Sequence, residues 1–213
     1  MTDLFNKPEN FFSALKEKLS GELPGMAAQN LMTSRARIST EEYLQKNPNH
    51  RNSAVLMILF PLNGTIYTAL IRRPSYEGMH SGQLALPGGK KDEIDLSILH
   101  TALRETDEEV GIKIPEENIL GKLTPVYIPV SNFLVNPFVA KLDERPQWMP
   151  DKHEVESMLE FPLDYLFRNE LKERRRIMIG KNMFIDAPCY IIDGQVLWGA
   201  TAMMFSELEK LLG

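Results

Sequence analysis

Three glutamates stand close together in a segment whose pattern predicts a helix. Residues 96–110 carry apolar side chains at helical spacing. The face that we expect to pack on a sheet holds Leu99, Leu103, Thr106 and Val110. Glu105, Glu108 and Glu109 then fall on roughly the opposite face, where like charges one turn apart repel each other. A hard divalent cation such as Mg²⁺ or Mn²⁺ would reverse that repulsion, so the pattern indicates a metal site.

The context of these glutamates narrows what they do. On a bare helix they would form a solvated acidic face, with Glu108 paired to Arg104 four residues earlier. Here a glycine pair, Gly88 and Gly89, precedes the helix, and Gly111 stands where a helix end favours a left-handed residue. This fixed spacing favours a functional site over an acidic surface.

The segment from residue 89 to residue 112 resembles the Nudix box, G-x5-E-x7-R-E-U-x-E-E-x-G-U, where U is apolar. The matching residues are Gly89, Arg104, Glu105, Glu108, Glu109, Gly111 and Ile112. Asp95 replaces the first glutamate of the pattern, eight residues instead of seven separate it from Arg104, and Thr106 takes an apolar position. The resemblance, together with the mixed order of strands and helices, implies an α+β fold, the Nudix α/β/α sandwich with a mixed β-sheet.

A second pattern, upstream of the box, is similar to the L-L-T-x-R-S … H-x-G-Q … F-P-G-G signature of the Nudix coenzyme A diphosphatases. The matching residues are Arg73, His80, Gly82, Gln83, Pro87, Gly88 and Gly89, and the departures are Ile71, Pro74 and Leu86. The resemblance covers roughly residues 50–212. It implies hydrolysis of the diphosphate bond of coenzyme A or acyl-CoA, which yields 3′,5′-ADP and (acyl-)4′-phosphopantetheine.

The resemblance also implies a role for individual residues. Glu105, Glu108 and Arg104 are expected to be catalytic, Arg104 by orienting the carboxylates. The expected ligands of Mg²⁺ or Mn²⁺ are Glu105, Glu108, Glu109 and Gly89. Either Glu105 or Glu154 would accept the proton of a metal-activated water, and Glu154 is an additional candidate ligand. The expected substrate-binding residues are Arg72, Arg73, His80, Gln83 and Lys90, whose cations suit a diphosphate.

Composition excludes several other classes of function. The 24 Lys and Arg against 29 Asp and Glu give a net charge of −5, which argues against a general nucleic-acid binder. The single cysteine, Cys189, excludes an internal disulfide framework. No apolar run has the length of a membrane span, and the N-terminal residues lack a signal-peptide layout. We therefore expect a cytoplasmic protein with no membrane partner. The oligomeric state stays open, and the resemblance to Nudix proteins, many of which form dimers, makes a homodimer one candidate.

The elements that must position these residues follow from periodicity and turn signals. We expect residues 1–49 to be a helical lead-in and residues 50–213 to be the Nudix domain. The expected helices are 10–19 with Asn10 as its cap, 96–110, a short one at 162–169, and 201–212. The expected strands are 54–60, 65–73, 122–130, 133–142, 154–161, 173–180 and 183–192, with 74–95 mostly loop.

Three alternatives remain open at this stage. One is a Nudix hydrolase of another nucleoside diphosphate derivative, such as ADP-ribose or a dinucleotide. The second is a Nudix-fold ligand sensor without catalysis, against which the intact Glu105, Glu108 and Glu109 argue. The third is a binding module whose acidic helix is only surface, which would bind no metal at a specific site.

Overall fold

The structure is a computed structural model that describes residues 8–34, 39–74, 82–180 and 183–213. The α-helices of these residues are α1 (Pro8–Ser20), α2 (Gly25–Gln29), α3 (Thr40–Lys46), α4 (Ile98–Val110) and α5 (Gly199–Leu212). The strands of the larger sheet are β1 (Arg51–Leu62), β2 (Thr65–Arg72), β3 (Leu84–Ala85), β4 (Gly88–Lys90), β5 (Ile119–Lys122), β6 (Val126–Ile128), β7 (Phe133–Lys141) and β8 (Ser157–Pro162). The smaller sheet holds β9 (Lys172–Gly180), β10 (Met183–Ile192) and β11 (Gln195–Leu197).

The larger sheet is mixed. Its strands follow the order β3-β2-β1-β7-β5, and β4, β6 and β8 pair with β1, β7 and β2 respectively. β1 and β7 run parallel, with Ala54 beside Asn136, whereas the other described pairs of this sheet are antiparallel. A parallel pair requires a long crossover connection, and the crossover from β1 to β7 contains α4. The topology therefore places the carboxylate helix across one face of the sheet.

The central strand β1 divides its side chains between two apolar cores. Met57 and Leu59 join the core formed with α1 and α5, while Leu56 and Ile58 join the core beneath α4. Because successive residues of a strand point to opposite faces, the sheet is covered by helices on both sides. The predicted α+β sandwich with a mixed sheet is confirmed.

The N-terminal helices pack on the same core as the C-terminal helix. Phe11 and Leu15 of α1 are fully buried there, as the amphipathic pattern of 10–19 predicts. Glu207 of α5 is also fully buried, and its carboxylate accepts hydrogen bonds from the Gly25 amide at 3.1 Å and from Gln29 Nε2 at 2.9 Å. The Thr124 hydroxyl donates to it at 2.6 Å. A buried carboxylate thus joins α2, α5 and the segment before β6, and the division of the chain at residue 50 stays a prediction.

Local backbone chemistry accounts for one turn and for both ends of α4. Asn63 and Gly64, both with positive φ (51° and 79°), form the tight turn of the β1–β2 hairpin. Ser97 caps α4 by accepting a hydrogen bond from the His100 amide at 3.1 Å. Gly111 ends α4 in the left-handed conformation, at φ 71° and ψ 25°.

Several predicted boundaries are wrong. Asn10 lies inside α1 and does not cap it. The expected strand 122–130 is reduced to β6, because Pro125 and Pro129, which lack an amide hydrogen, flank it. Residues 154–156 form no strand, and the expected loop 74–95 contains β3 and β4. The strands β5 and β11 were not predicted, because they are too short for an alternation of apolar and polar residues to be recognised. Within the described residues, no helix combines the length and the apolar character needed to cross a bilayer.

Candidate active site

The glycine pair before α4 brings the backbone of β4 against two other elements. A Cβ on Gly88 (φ 147°) would lie 2.2 Å from the carbonyl oxygen of Ala54 in the paired strand β1. A Cβ on Gly89 would lie 2.3 Å from the carboxyl carbon of Glu105. The contact with backbone excludes a side chain at Gly88, whereas a side chain at Gly89 would displace the Glu105 carboxylate.

Glu109 lies on the buried side of α4, and only 2% of its surface is exposed to solvent. Its Oε2 accepts a hydrogen bond from the Gly88 amide at 2.7 Å. Burial raises the pKa of this carboxyl to about 7, although the Gly88 amide and the Arg73 guanidinium both lower it. The expectation that Glu109 lies opposite the packed face of the helix is therefore wrong. Thr101, Ala102 and Thr106 share its buried side.

Arg104 joins the carboxylates on the other side of the helix. Its Nη1 donates to Glu108 at 2.8 Å, and its Nη2 lies 3.0 Å from Glu105 Oε1. Its Nε donates to Asp95 Oδ1 at 2.9 Å. One guanidinium thus fixes three acidic side chains, an arrangement that matches the orienting role expected for Arg104.

Asp95, the departure from the Nudix box, anchors Arg104 to the loop before the helix. Its carboxylate is buried and also accepts hydrogen bonds from the Thr101 hydroxyl and the Asp92 amide, both at 2.9 Å. The Arg104 hydrogen bonds hold the pKa of Asp95 well below its ordinary value. The two departures from the Nudix box, an aspartate in place of glutamate and one additional residue before Arg104, therefore coincide with a buried ion pair between Asp95 and Arg104.

The segment between β7 and β8 brings a fourth carboxylate to this region. The Met149 amide donates to the Val110 carbonyl at 2.9 Å, and the Asp151 amide donates to the Glu109 carbonyl at 3.0 Å. These bonds dock the segment on the end of α4, and the Glu154 amide then donates to the Asp151 carbonyl at 3.1 Å. The charge of Glu154 contributes to raising the pKa of Glu109, whose chief cause is burial. Glu154 therefore lies close enough for its charge to act on Glu105 and Glu109. No sequence signal predicts the role of Asp151 in placing it.

Glu105 lies between Gly89 and Arg104 and is largely buried, with 15% of its side chain exposed. Burial raises its pKa above the ordinary value, Arg104 lowers it, and Glu108 and Glu154 raise it further. Glu108, by contrast, has 56% of its side chain exposed. The acidic set thus grades from a buried carboxyl at Glu109 to a solvent-facing one at Glu108.

This donor set suits a hard divalent cation in its chemistry. It consists of carboxylate oxygens, and the mutual repulsion seen at Glu105 and Glu109 is what a cation would remove. In the part of the chain that is described, no three His, Cys, Asp or Glu side chains stand at metal-binding geometry as they are placed. Glu105 and Glu108 are turned to Arg104, and Glu109 is turned to the Gly88 amide.

The two arginines at the end of β2 point to opposite faces of the sheet. Arg73 Nη2 lies 3.5 Å from the carbonyl oxygen of Gly88, and its charge acts on Glu109. Arg72 instead donates from Nη1 to the Gly82 carbonyl at 2.9 Å and from Nη2 to Gln195 Oε1. The structure therefore brings Arg73 to the carboxylates and places Arg72 against β11 of the smaller sheet.

Of the remaining expected substrate-binding residues, Lys90 and Gln83 lie in the described part of the chain. Lys90 is exposed next to Gly89, and its carbonyl accepts from Arg104 Nη2 at 3.3 Å. The carbonyl of Gln83 accepts from the Arg73 amide at 3.0 Å, which holds Gln83 beside the end of β2. His80 lies outside the described residues. Of the expected substrate-binding cations, Arg73 is the one whose charge acts on Glu109.

The chain matches known proteins in sequence and in fold. Residues 50–179 match the NUDIX domain. The chain is 32% identical over 165 residues to human "Mitochondrial coenzyme A diphosphatase NUDT8", covering 76% of this chain and 69% of that protein. It is 30% identical over 194 residues to "Uncharacterized Nudix hydrolase NudL" of Pectobacterium atrosepticum, covering 87% and 95%. A crystal structure of a MutT/nudix family protein from Enterococcus faecalis superposes with a TM-score of 0.54 at 17% identity, covering 86% and 73%.

These matches establish a hydrolase of diphosphate bonds. The chain belongs to the Nudix hydrolase family, whose members generally need divalent metal ions. The resemblance noted at Gly89, Arg104, Glu105, Glu108 and Glu109 is thereby confirmed. The roles of these residues in this chain stay predictions.

Proposed function

We propose that this Nudix hydrolase cleaves the diphosphate bond of coenzyme A or its acyl esters with the help of Mg²⁺ or Mn²⁺. The products are 3′,5′-ADP and (acyl-)4′-phosphopantetheine. The observation that carries the substrate is the 32% identity to a protein named as a coenzyme A diphosphatase. The signature over Arg73, Gly82, Gln83 and Pro87 supports the same substrate.

The geometry supports chemistry on a diphosphate. The Arg73 guanidinium lies beside the Gly88 carbonyl, Lys90 follows Gly89 in β4, and Glu105 and Glu109 contact the Gly88–Gly89 backbone. The carboxylates would hold a divalent ion, and the cations would bind a diphosphate next to it. The ion would offset the negative charge of both the carboxylates and the diphosphate.

Glu105, Glu108 and Glu109, with the carbonyl of Gly89, are the groups that would hold the metal. When bound, a divalent ion polarises the phosphate oxygens and lowers the pKa of a coordinated water. Arg104 orients Glu105 and Glu108 through its 3.0 and 2.8 Å contacts, so that these carboxylates are set before substrate arrives.

Glu105 is the proposed general base. Burial raises its pKa, which increases its affinity for the proton of the attacking water. Glu154 is the second candidate, because its charge acts on Glu105 from the segment between β7 and β8. The variants Glu105→Gln and Glu154→Gln distinguish them: removal of the base lowers kcat and abolishes the acidic limb of the pH–rate profile, whereas removal of a ligand raises the metal concentration needed for half-maximal rate.

Incubation of the protein with coenzyme A and Mg²⁺, followed by mass identification of the products, tests the proposal. We expect 3′,5′-ADP and 4′-phosphopantetheine, and no turnover after chelation of the metal. A panel with ADP-ribose and dinucleotides runs in parallel, and preferential cleavage of either would replace coenzyme A as the substrate.

A matched pair of variants tests the metal ligands in the same assay. Glu108→Gln and Glu109→Gln are each expected to lower Mg²⁺-dependent turnover by at least about 100-fold with the fold intact. Glu117→Gln makes the same chemical change at an exposed site outside the carboxylate cluster and is expected to leave turnover unchanged. Full activity in Glu109→Gln would remove that residue from the metal site.

A further inference from the structure

Arg72 connects three parts of the chain that are distant in sequence. It is the last residue of β2, and its two terminal nitrogens donate to the Gly82 carbonyl, at 2.9 Å, and to Gln195 Oε1. Gln195 begins β11 in the smaller sheet, beyond the residues that match the NUDIX domain. The half-buried guanidinium therefore ties the C-terminal sheet to the segment that precedes β3.

The residues that Arg72 holds are also fixed through the backbone. The Arg73 amide donates to the Gln83 carbonyl at 3.0 Å, and the Gly82 amide donates to the Pro74 carbonyl at 3.3 Å. Gly82 has a φ of 64°, so its peptide follows a left-handed turn that few residues adopt. A side-chain hydrogen bond to the Gly82 carbonyl stabilises this turn and sets the direction in which Gln83 leaves it.

The position of Arg72 suits the role of a brace between the two sheets. Its side chain leaves β2 on the same face as Leu70, which belongs to the core of α1 and α5. Arg73 leaves on the opposite face, where it reaches Gly88 and acts on Glu109. Two of the hydrogen-bond donors of Arg72 are already engaged by the protein.

We infer that Gln195 is a positioning residue of the active site, which acts through Arg72 on the substrate-facing turn at Gly82 and Gln83. A neutral amide oxygen that accepts from a guanidinium makes a charge-assisted hydrogen bond, which is stronger than one between neutral groups. Without this acceptor Arg72 is free to turn, and the Gly82 carbonyl loses its fixed partner. The identity of the substrate in this inference rests on the proposed function. The hydrogen bonds of Arg72 to Gly82 and Gln195 do not depend on it.

The experiment compares Gln195→Leu, which removes the acceptor, with Gln195→Glu, which keeps an acceptor and adds a charge opposite Arg72. Gln45→Leu makes the first change at an exposed position of α3 and serves as the matched control. Two quantities are measured: KM and kcat for coenzyme A, and hydrogen exchange at the amides of residues 82–85.

We expect Gln195→Leu to raise KM by about tenfold with kcat within about twofold of the parent. Exchange at residues 82–85 is expected to accelerate in this variant. Gln195→Glu keeps an acceptor for Arg72, so KM and the exchange rate are expected to stay near the values of the parent. Gln45→Leu is expected to change neither KM nor the exchange rate. A merely structural role for Gln195 would lower the active fraction, and hence kcat, without a change in KM.

Two outcomes overturn the inference. The first is unchanged exchange at residues 82–85 in Gln195→Leu, which would show that Gln195 does not hold the turn. The second is faster exchange with an unchanged KM, which would show that the turn does not serve the substrate. If the parent protein does not cleave coenzyme A, the proposed function fails by itself, and KM is then measured with whichever diphosphate of the panel is cleaved.

Discussion

The Cα atom of Gly89 lies against the carboxylate of Glu105 so closely that a Cβ at residue 89 would stand 2.3 Å from the carboxyl carbon. β4 and α4 are therefore in contact through a residue without a side chain. The contact sets the distance between the Gly89 backbone and the first glutamate of the helix. The glycine is thus a geometric requirement of the site.

The Gly89→Ala variant tests this requirement. The added methyl group must displace the Glu105 carboxylate, so we expect turnover to fall at least about tenfold. Stability should fall by less than about 1 kcal/mol, because the displaced atoms are the end of a flexible side chain. Gly21→Ala is the control, because a Cβ there would stand 3.5 Å from its nearest neighbour, an ordinary contact. Steady-state rates and thermal unfolding check the expectation, and an alanine variant with the parent rate would contradict it.

The raised pKa of Glu109 predicts a pH-dependent stability. A carboxyl whose pKa rises from 4.5 when exposed to about 7 in the fold binds its proton more tightly in the folded state. Stability therefore falls as pH rises through that window, by about 3 kcal/mol in total. Glu109→Gln removes this loss, so the metal-free variant should be more stable than the parent at pH 8 and equal to it near pH 4.

Chemical denaturation in chelator at a series of pH values measures this difference. Addition of Mg²⁺ to the parent protein should then recover stability at pH 8, because an ion that binds only the folded state stabilises it. A difference between parent and variant that does not change with pH would show that Glu109 has an ordinary pKa.

Arg104→Ala should destabilise the fold as well as the site. The change leaves the Asp95 carboxylate, 3% exposed, without its ionic partner, and we expect a loss of about 3 kcal/mol. Arg145→Ala breaks an ion pair whose arginine is 52% exposed, so its loss should stay below about 1 kcal/mol. The double variant with Asp95→Asn should recover part of the Arg104 loss. Equal losses in the two single arginine variants would refute the role given to Asp95.

Glu207 should control the attachment of the N-terminal helices. Glu207→Gln converts one oxygen that accepts from Gly25 and Thr124 into a donor, so we expect a loss of about 2 kcal/mol. Glu170→Gln, at an exposed position, should cost nothing measurable. Proteolysis that cleaves residues 20–30 faster in Glu207→Gln, with the KM of intact protein unchanged, would fit a purely structural role. Equal stability of Glu207→Gln and Glu170→Gln would contradict the role of Glu207 in attaching the N-terminal helices.

The parts of the fold that depend on neighbouring residues were predictable. The turn at Asn63 and Gly64 and the ends of α4 at Ser97 and Gly111 each follow from local backbone chemistry. Their signals lie within a few residues of the structure that they specify. The Nudix box could be identified for the same reason, since its spacing is a property of one loop and one helix.

The parts that depend on distant partners were not predictable. Periodicity placed Glu109 on the exposed side of α4, because it cannot show that the Gly88 amide, 21 positions earlier, satisfies a buried carboxylate. The Arg72–Gln195 contact spans 123 positions and leaves no pattern in either segment. Arg72 and Arg73 are adjacent residues of the same charge, so their types do not distinguish their roles. Only the alternation of side chains along β2 places them on opposite faces of the sheet.

The meeting of α1 and α2 with α5 has a consequence for synthesis on the ribosome. A nascent chain can cover the α4 face of its sheet once β7 has emerged and paired with β1, but the other face waits for α5. Until then Phe11, Leu15 and their neighbours have no permanent cover, and exposed apolar surface of this kind attracts chaperones and favours aggregation. Interrupted translation products should therefore be cleared by proteases even when they contain the whole Nudix box.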